Sequence, residues 1–271
     1  YPSFAPLIVG RLLGIPIMLH EQNAFLGRAN HMLSKIANSL ALSWPETKNL
    51  PNNIVHEFTG IPVRQAFFDA AQTPYKICSA TSVNLTILGG SQGASILGSL
   101  VPDAIAMLDY PLRQRLNIRQ QARPEQINAL RGRYADLDVT ADIRSFYNNM
   151  PQLLGDSHLV VCRAGASSVA ELAAIGRPAL LLPLPNAMDD HQRVNALQMQ
   201  DAGGGICLNE TTLSAAVLAT RLMQLIGTPR TLVQMAKSAR SLSCPDAASL
   251  IATMAEHLIA VRIERRTGAE T

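Results

Sequence analysis

The groups in this chain whose types and spacing could do chemistry are a glycine turn suited to an anion, a carboxylate suited to a diol and an amide suited to hydroxyls. In VNLTILGGSQGA (Val83–Ala94) an apolar, β-branched run breaks at Gly89, Gly90 and Gly93, and a helical pattern opens near Ala94. Glycines there let the backbone turn tightly and approach a ligand, while the helix start offers unpaired N–H groups and a positive dipole end to phosphate. The spacing is GGxxG rather than GxGxxG, which speaks against a nicotinamide or flavin site. A strand-to-helix turn that binds nothing is the plain alternative.

The carboxylate is Glu171, in VVCRAGASSVAELAAIGRPALLLP (Val160–Pro183). A strand ending at Cys162 runs into the small-residue turn Ala164-Gly165-Ala166, and Ser167 or Ser168 can cap the helix that follows. Glu171 can accept both hydroxyls of a ribose from the mouth of such a loop. It also completes Ser168-x-x-Glu171, a capping box in which it bonds only the cap's own N–H. The amide is Gln192, in PLPNAMDDHQRVNALQMQDA (Pro183–Ala202), where Asp189 and Asp190 suit a helix N-terminus and Gln192 can both donate to and accept from sugar hydroxyls. In IMLHEQN (Ile17–Asn23) four polar groups follow a strand directly, on the carboxyl edge where open parallel sheets bind ligands. His20-Glu21 has no second histidine at the zincin spacing, so no metal site is expected there.

These groups need strands and helices to hold them. Short β-branched or leucine-rich runs alternate with helical patterns, the signature of a parallel sheet covered by helices, so the fold class is α/β. Strands are expected at Ile15–Leu19, Asn84–Leu88, Asn117–Gln121, Asp138–Ala141, Leu159–Cys162, Ala179–Leu182 and Ile206–Leu208. Helices are expected at Gly27–Ala41, Ala94–Leu108, Ser168–Ile175, His191–Asp201, Thr212–Leu225 and Ala247–Arg262, among others. Periodicity fails across Asp69–Ser82, which reads as a linker or surface loop. Residue 1 is Tyr1 and Ile15–Leu19 already reads as an interior strand, so the chain is expected to begin inside a domain.

With 271 residues and 48% hydrophobic content the chain can fill two lobes. Its net charge of +3 is scattered, which does not indicate nucleic acid, while a pI near 8.8 suits contact with anionic lipid or phosphate. Cys78, Cys162, Cys207 and Cys244 form no CxxC or Cys/His cluster, the pattern of a reduced, cytosolic protein without a zinc site. No apolar run reaches the roughly 18 residues of a spanning helix.

Taken together, HEQNAFLGRAN (His20–Asn30), GIPVR (Gly60–Arg64), LGGSQGA (Leu88–Ala94), the Val160–Pro183 segment and DDHQRVNA (Asp189–Ala196) resemble the MurG family. Its members are UDP-N-acetylglucosamine:N-acetylmuramyl-(pentapeptide)-pyrophosphoryl-undecaprenol N-acetylglucosamine transferases. The resemblance covers nearly the whole chain and implies the GT-B architecture, two Rossmann-like lobes, the first incomplete here. It implies residues 1–68 as the remainder of an acceptor and membrane lobe, 69–82 as a linker, 83–242 as the nucleotide-sugar lobe, and 243–271 as a helix returning to the first lobe, with a tail.

Carried over, Gly90, Ser91, Gln92, Gly93 and Ala94 would meet the diphosphate with Arg64 adding charge, and Glu171 would take the ribose diol. Tyr147 would stand at uracil through its backbone, with Ala166, Ser167, Ser168, Val169 and Ala170 lining the same pocket. Gln192 and Asn23 would reach the sugar. The resemblance implies an inverting, metal- and cofactor-independent transfer from UDP-N-acetylglucosamine to lipid I, giving lipid II on the cytoplasmic face of the bacterial inner membrane, by a peripheral protein. The family's proposed base lies in the part of the first lobe that precedes Tyr1 in relatives, which leaves His20 and Glu21 as the candidates in this chain. A silent UDP-sugar-binding fragment and a UDP-N-acetylglucosamine 2-epimerase-like protein are the alternative readings.

Overall fold

The computed structural model describes residues 4–90, 95–185 and 190–267. It divides into two compact units, residues 1–63 with 244–271, and residues 64–243. In the first unit, helix α1 (Phe4–Leu12) precedes β1 (Met18–Glu21), α2 (Arg28–Leu33), β2 (Ser39–Leu42) and β3 (Val55–Phe58). The three strands are parallel in the order β1-β2-β3, over a small core that includes Ile17, Leu19, Leu26, Leu40 and Leu42.

Two expectations are corrected here. The first strand begins at Met18 instead of Ile15, because Pro16 has no N–H to give and the Ile17 N–H is taken by the Asn38 side chain at 2.8 Å. The helix expected over Gly27–Ala41 ends at Leu33, and Ser39–Leu42 is a strand with all four residues buried. A short apolar run buried on both faces carries no period that separates strand from helix.

The second unit contains α3 (Gln65–Ala70), β4 (Val83–Leu88), α4 (Ser95–Ala106), α5 (Tyr110–Arg113), β5 (Leu116–Gln121), α6 (Pro124–Asp136) and β6 (Thr140–Arg144). It continues with α7 (Met150–Gly155), β7 (Leu159–Cys162), α8 (Ala166–Ile175), β8 (Ala179–Leu181), α9 (His191–Asp201), β9 (Gly205–Cys207), α10 (Ala215–Gly227) and α11 (Pro229–Ser241). All six strands are parallel, in the order β6-β5-β4-β7-β8-β9. The expected strand Asp138–Ala141 moves to Thr140–Arg144 because Asp138 takes a left-handed φ of 52° in the preceding turn. Helix α12 (Ala247–Thr267) belongs to the first unit. No helix among the described residues is long and apolar enough to cross a membrane.

The stretch expected as a linker is part of the second unit. Cys78 is buried against that unit's core, and the Tyr75 hydroxyl donates to the His158 carbonyl at 2.8 Å. The Tyr75 ring lies 5.4 Å from the guanidinium carbon of Arg177, whose side chain is 2% exposed. Polar composition hid this segment, because its two anchors are single residues without a period.

Arg177 follows α8 directly and donates to the carbonyls of Leu154 and Gly155 at the end of α7 and of Ile175 and Gly176 at the end of α8. These lie at the negative dipole ends of two helices, and of the four only the Leu154 carbonyl has a further donor among the described residues, the Ser157 N–H at 3.0 Å, so one cation serves both ends. Replacing it takes the donor from the Gly155, Ile175 and Gly176 oxygens. Arg177→Met should lower unfolding stability by about 3 kcal/mol or more, and Arg177→Lys, which lacks the planar fork, should recover only part of the loss. Urea denaturation of the three proteins measures this directly.

Candidate functional site

The strand order of the second unit reverses between β4 and β7, which pair in parallel from Leu85↔Leu159 to Leu88↔Cys162. Chain leaving β4 and chain leaving β7 therefore turn in opposite directions and open a crevice at their carboxyl ends, the place where such sheets take ligands. After β4 come Gly89 and Gly90, and Gly90 has a φ of 73°, a left-handed conformation that only glycine adopts without strain. Ser91, Gln92, Gly93 and Ala94, expected at the diphosphate, lie outside the described residues.

After β7 comes Arg163, which sequence reasoning did not single out. A Cβ on Gly90 would lie 3.9 Å from the Arg163 Cβ and Cγ, so the arginine stem lies beside the glycine turn. Its Nη1 donates to the carbonyls of Leu182 at 3.1 Å and Pro183 at 3.4 Å and pairs with Glu210, with both charged side chains largely buried. Asn195 of α9, fully buried, donates to the Ala164 carbonyl at 3.3 Å. The loop after β7 is thus tied to the chain after β8, to Glu210 and to α9. The available signals were an arginine inside an otherwise apolar run and an asparagine on the inner face of α9.

Helix α8 begins at Ala166 with Gly165 as its N-cap, and no side chain caps it. Ser167 and Ser168 are helical residues, so neither caps the helix and the expected capping box is not formed. The Glu171 carboxylate consequently has no capping bond to make. It is half-buried, accepts no hydrogen bond from any described residue, and burial raises its pKa above the usual 4.5 while Arg64 pulls it back. Arg64 itself is exposed at the start of α3, with its guanidinium carbon 5.1 Å from the Phe67 ring centre. Val169 is buried and Ala170 half-buried in the same helix. Nearby Cys162 is fully buried; burial first and Glu171 second raise its thiol to about 12, which rules it out as a thiolate nucleophile.

Tyr147 is 7% exposed, and its hydroxyl donates to the Asp142 carbonyl at 2.7 Å. Its side chain is committed to the fold, leaving its backbone as the part able to meet a base. Gln192 lies in the first turn of α9, where its Oε1 accepts the Leu184 N–H at 3.0 Å, so the amide hydrogens are the part able to meet a ligand.

In the first unit the two candidate bases have different fates. Glu21, 3% exposed, accepts from the Asn23 N–H and Nδ2, the Gly27 N–H and Asn30 Nδ2, between 2.9 and 3.0 Å. That carboxylate is saturated and serves as an anchor for the turn after β1, correcting its place among the bases. Asn23 is bound up in the same anchor. His20 Nε2 lies 3.0 Å from the Ser43 hydroxyl, which can donate or accept, and 3.1 Å from the Gly60 carbonyl, which can only accept; in the tautomer that donates to Gly60 the basic nitrogen is Nδ1. Burial lowers the His20 pKa below 6.5, against the opposing pull of the Gly60 carbonyl and Glu21, and keeps the ring neutral near pH 7. Gly60 has a φ of 80°, and a Cβ there would stand 2.4 Å from the Cys244 Cβ. No group of three or more His, Cys, Asp or Glu side chains among the described residues could hold a metal ion.

Residues 84–251 match the glycosyltransferase family 28 C-terminal domain. The UDP-N-acetylglucosamine–N-acetylmuramyl-(pentapeptide) pyrophosphoryl-undecaprenol N-acetylglucosamine transferase of Granulibacter bethesdensis is 43% identical over 94% of this chain and 67% of its own length. The enzyme of the same name from Rhizobium johnstonii is 41% identical over 100% of this chain and 71% of its own length. Among solved structures, MurG of Acinetobacter baumannii superposes with a TM-score of 0.78 at 30% identity, covering 95% of this chain and 71% of that one. The UDP-GlcNAc 2-epimerase from Neisseria meningitidis reaches 0.64 at 15% identity over 93% of this chain and 72% of that one, a likeness of fold alone. The parallel α/β units are therefore those of a GT-B glycosyltransferase, and by identity sustained across almost its whole length the chain belongs to the MurG family within glycosyltransferase family 28.

Proposed function

We propose that this chain is a hexosyltransferase that moves N-acetylglucosamine from UDP-N-acetylglucosamine to lipid I, forming lipid II for peptidoglycan. The acceptor hydroxyl oxygen attacks C1 of the donor sugar, the bond from C1 to the diphosphate oxygen breaks, UDP leaves with the electron pair, and the hydroxyl proton passes to a base. Inversion follows from that single displacement. His20, in the tautomer with Nδ1 basic, is the candidate base among the residues of this chain.

The observation that carries the reading is the state of Glu171, a half-buried carboxylate beyond the β4/β7 crevice with no hydrogen-bond donor among the described residues. A buried charge without donors is costly, and two vicinal hydroxyls would offset that cost. In this reading the open first-turn N–H groups of α8 and the glycine turn after β4 receive the nucleotide, the backbone at Tyr147 meets uracil, and the Gln192 amide hydrogens meet the sugar. Ser91–Ala94 and Arg64 belong to the diphosphate end. The exposed apolar side chains of α1, Phe4, Ile8, Val9 and Leu12, support contact with the cytoplasmic surface of an anionic membrane, where a polyprenyl acceptor resides.

Glu171→Ala should weaken UDP and UDP-N-acetylglucosamine alike, by about 1.5 to 3 kcal/mol, in a calorimetric titration. Only the ionised group accepts both hydroxyls, so affinity should decline as the pH falls through a value above the ordinary 4.5. Glu171→Gln should flatten that decline, and an unchanged affinity in the alanine variant would remove Glu171 from the ligand.

The Leu184 bond allows a cleaner test of sugar recognition. Gln192→Glu keeps an oxygen for the Leu184 N–H but loses the amide donor, so binding of UDP-N-acetylglucosamine should fall about tenfold while UDP alone stays within twofold. A parallel loss for both ligands would take Gln192 out of the sugar pocket.

A further inference from the structure

One ion pair gathers the crevice edge of the second unit. Arg163 leaves β7 with its stem beside the Gly90 turn that follows β4, and its Nη1 donates to the carbonyls of Leu182 and Pro183, just past β8, at 3.1 and 3.4 Å. The same nitrogen pairs with Glu210, just past β9. Four neighbouring strands of the sheet are thus joined at their carboxyl ends by one guanidinium. The two side chains are 11% and 15% exposed, so each charge depends on the other for the solvation it has lost.

From this clamp a short, stiff path runs to Gln192. The Leu184 N–H donates to Gln192 Oε1 at 3.0 Å, and that N–H belongs to the same peptide group as the Pro183 carbonyl held by Arg163. The group is planar, so no rotatable bond separates the atom that meets the guanidinium from the atom that meets the glutamine. Pro183 and Pro185 stiffen the chain on either side, since each ring fixes its own φ and Pro185 keeps Leu184 out of the helical region. Tilting that plane turns the Gln192 amide hydrogens with it.

On the reading of Gln192 as the amide that meets the sugar, we propose that Arg163 and Glu210 are positioning residues for sugar recognition, acting through the Pro183–Leu184 peptide group. Calorimetric titration of the full chain with UDP and with UDP-N-acetylglucosamine tests this, because the ratio of the two affinities isolates the sugar. Glu210→Gln keeps an oxygen but removes the counter-charge, and Arg163→Lys keeps the cation but loses the planar fork. Each should lower the ratio about fivefold, whatever its effect on UDP alone, and Glu210→Asp should recover part of the loss.

The deciding measurement is a double-mutant cycle. Gln192→Glu should lower the ratio about tenfold in the unchanged chain and only about twofold beside Arg163→Lys, since the amide it removes is already turned away. Residues that merely stabilise the fold would weaken both ligands in proportion and leave the two effects independent, and that result would overturn the proposal. Should Glu210→Gln lose its far-ultraviolet circular dichroism spectrum, Arg163→Lys and the cycle still decide. An unaltered ratio for Gln192→Glu in the unchanged chain would instead overturn the assignment of Gln192 to the sugar, and this inference with it.

Discussion

A single buried guanidinium sets the geometry of the second unit. Helices α7 and α8 both end in carbonyls that have no partner within the helix, and Arg177 supplies N–H groups to both ends at once. Because α8 ends on this cation, its start is placed relative to β7, and with it the crevice side of the loop that carries Gly165. Tyr75 lies over the same guanidinium, so the segment before β4 is held by it as well. A charge this deeply buried survives because carbonyl dipoles, aligned by two helices, replace the water it gave up.

Two carboxylates show how the same chemical group is assigned to structure or to ligand. Glu21 is surrounded by four N–H donors from its own neighbourhood and has no capacity left. Glu171 is half-buried where Glu21 is fully buried, yet its helix is capped by a glycine and gives it no donor. The difference lies in the turns. The turn after β1 carries Asn23, Gly27 and Asn30 to wrap its acid, whereas in the turn after β7, Arg163-Ala164-Gly165-Ala166, the one polar side chain goes to Leu182, Pro183 and Glu210 and gives Glu171 no hydrogen bond.

The alternation of strands and helices in the second unit was legible because β4, β7 and β8 are compact, largely apolar runs and β5 alternates buried and half-buried residues. Leu159–Cys162 and His191–Asp201 were readable to the residue for that reason. The first unit was harder. Its β2 continues an apolar helical pattern, and β3, Val55–Phe58, is exposed at all four positions and so carries no burial pattern. At the site, glycines and acids announce themselves by type, but Arg163, Glu210 and Asn195 act through backbone carbonyls and each other across long sequence separations. Local spacing contains no trace of such partners. The Ser168-x-x-Glu171 box failed for a related reason: a glycine one turn earlier starts the helix before either serine can cap it.

The contact between Gly60 and Cys244 has a consequence for biosynthesis. The first unit is assembled from residues 1–63 and 244–271, with the whole second unit emerging from the ribosome between them. As the chain grows, residues 64–243 can complete their sheet and core while α12 is still inside the exit tunnel. The first unit cannot close until Cys244 and α12 are free, since the side chain it packs against Gly60 has not yet arrived. Through that interval its three-stranded sheet is exposed to chaperones and proteases. Vectorial synthesis therefore makes the second unit the early-folding partner and leaves β1, β2 and β3, though made before it, to mature after it.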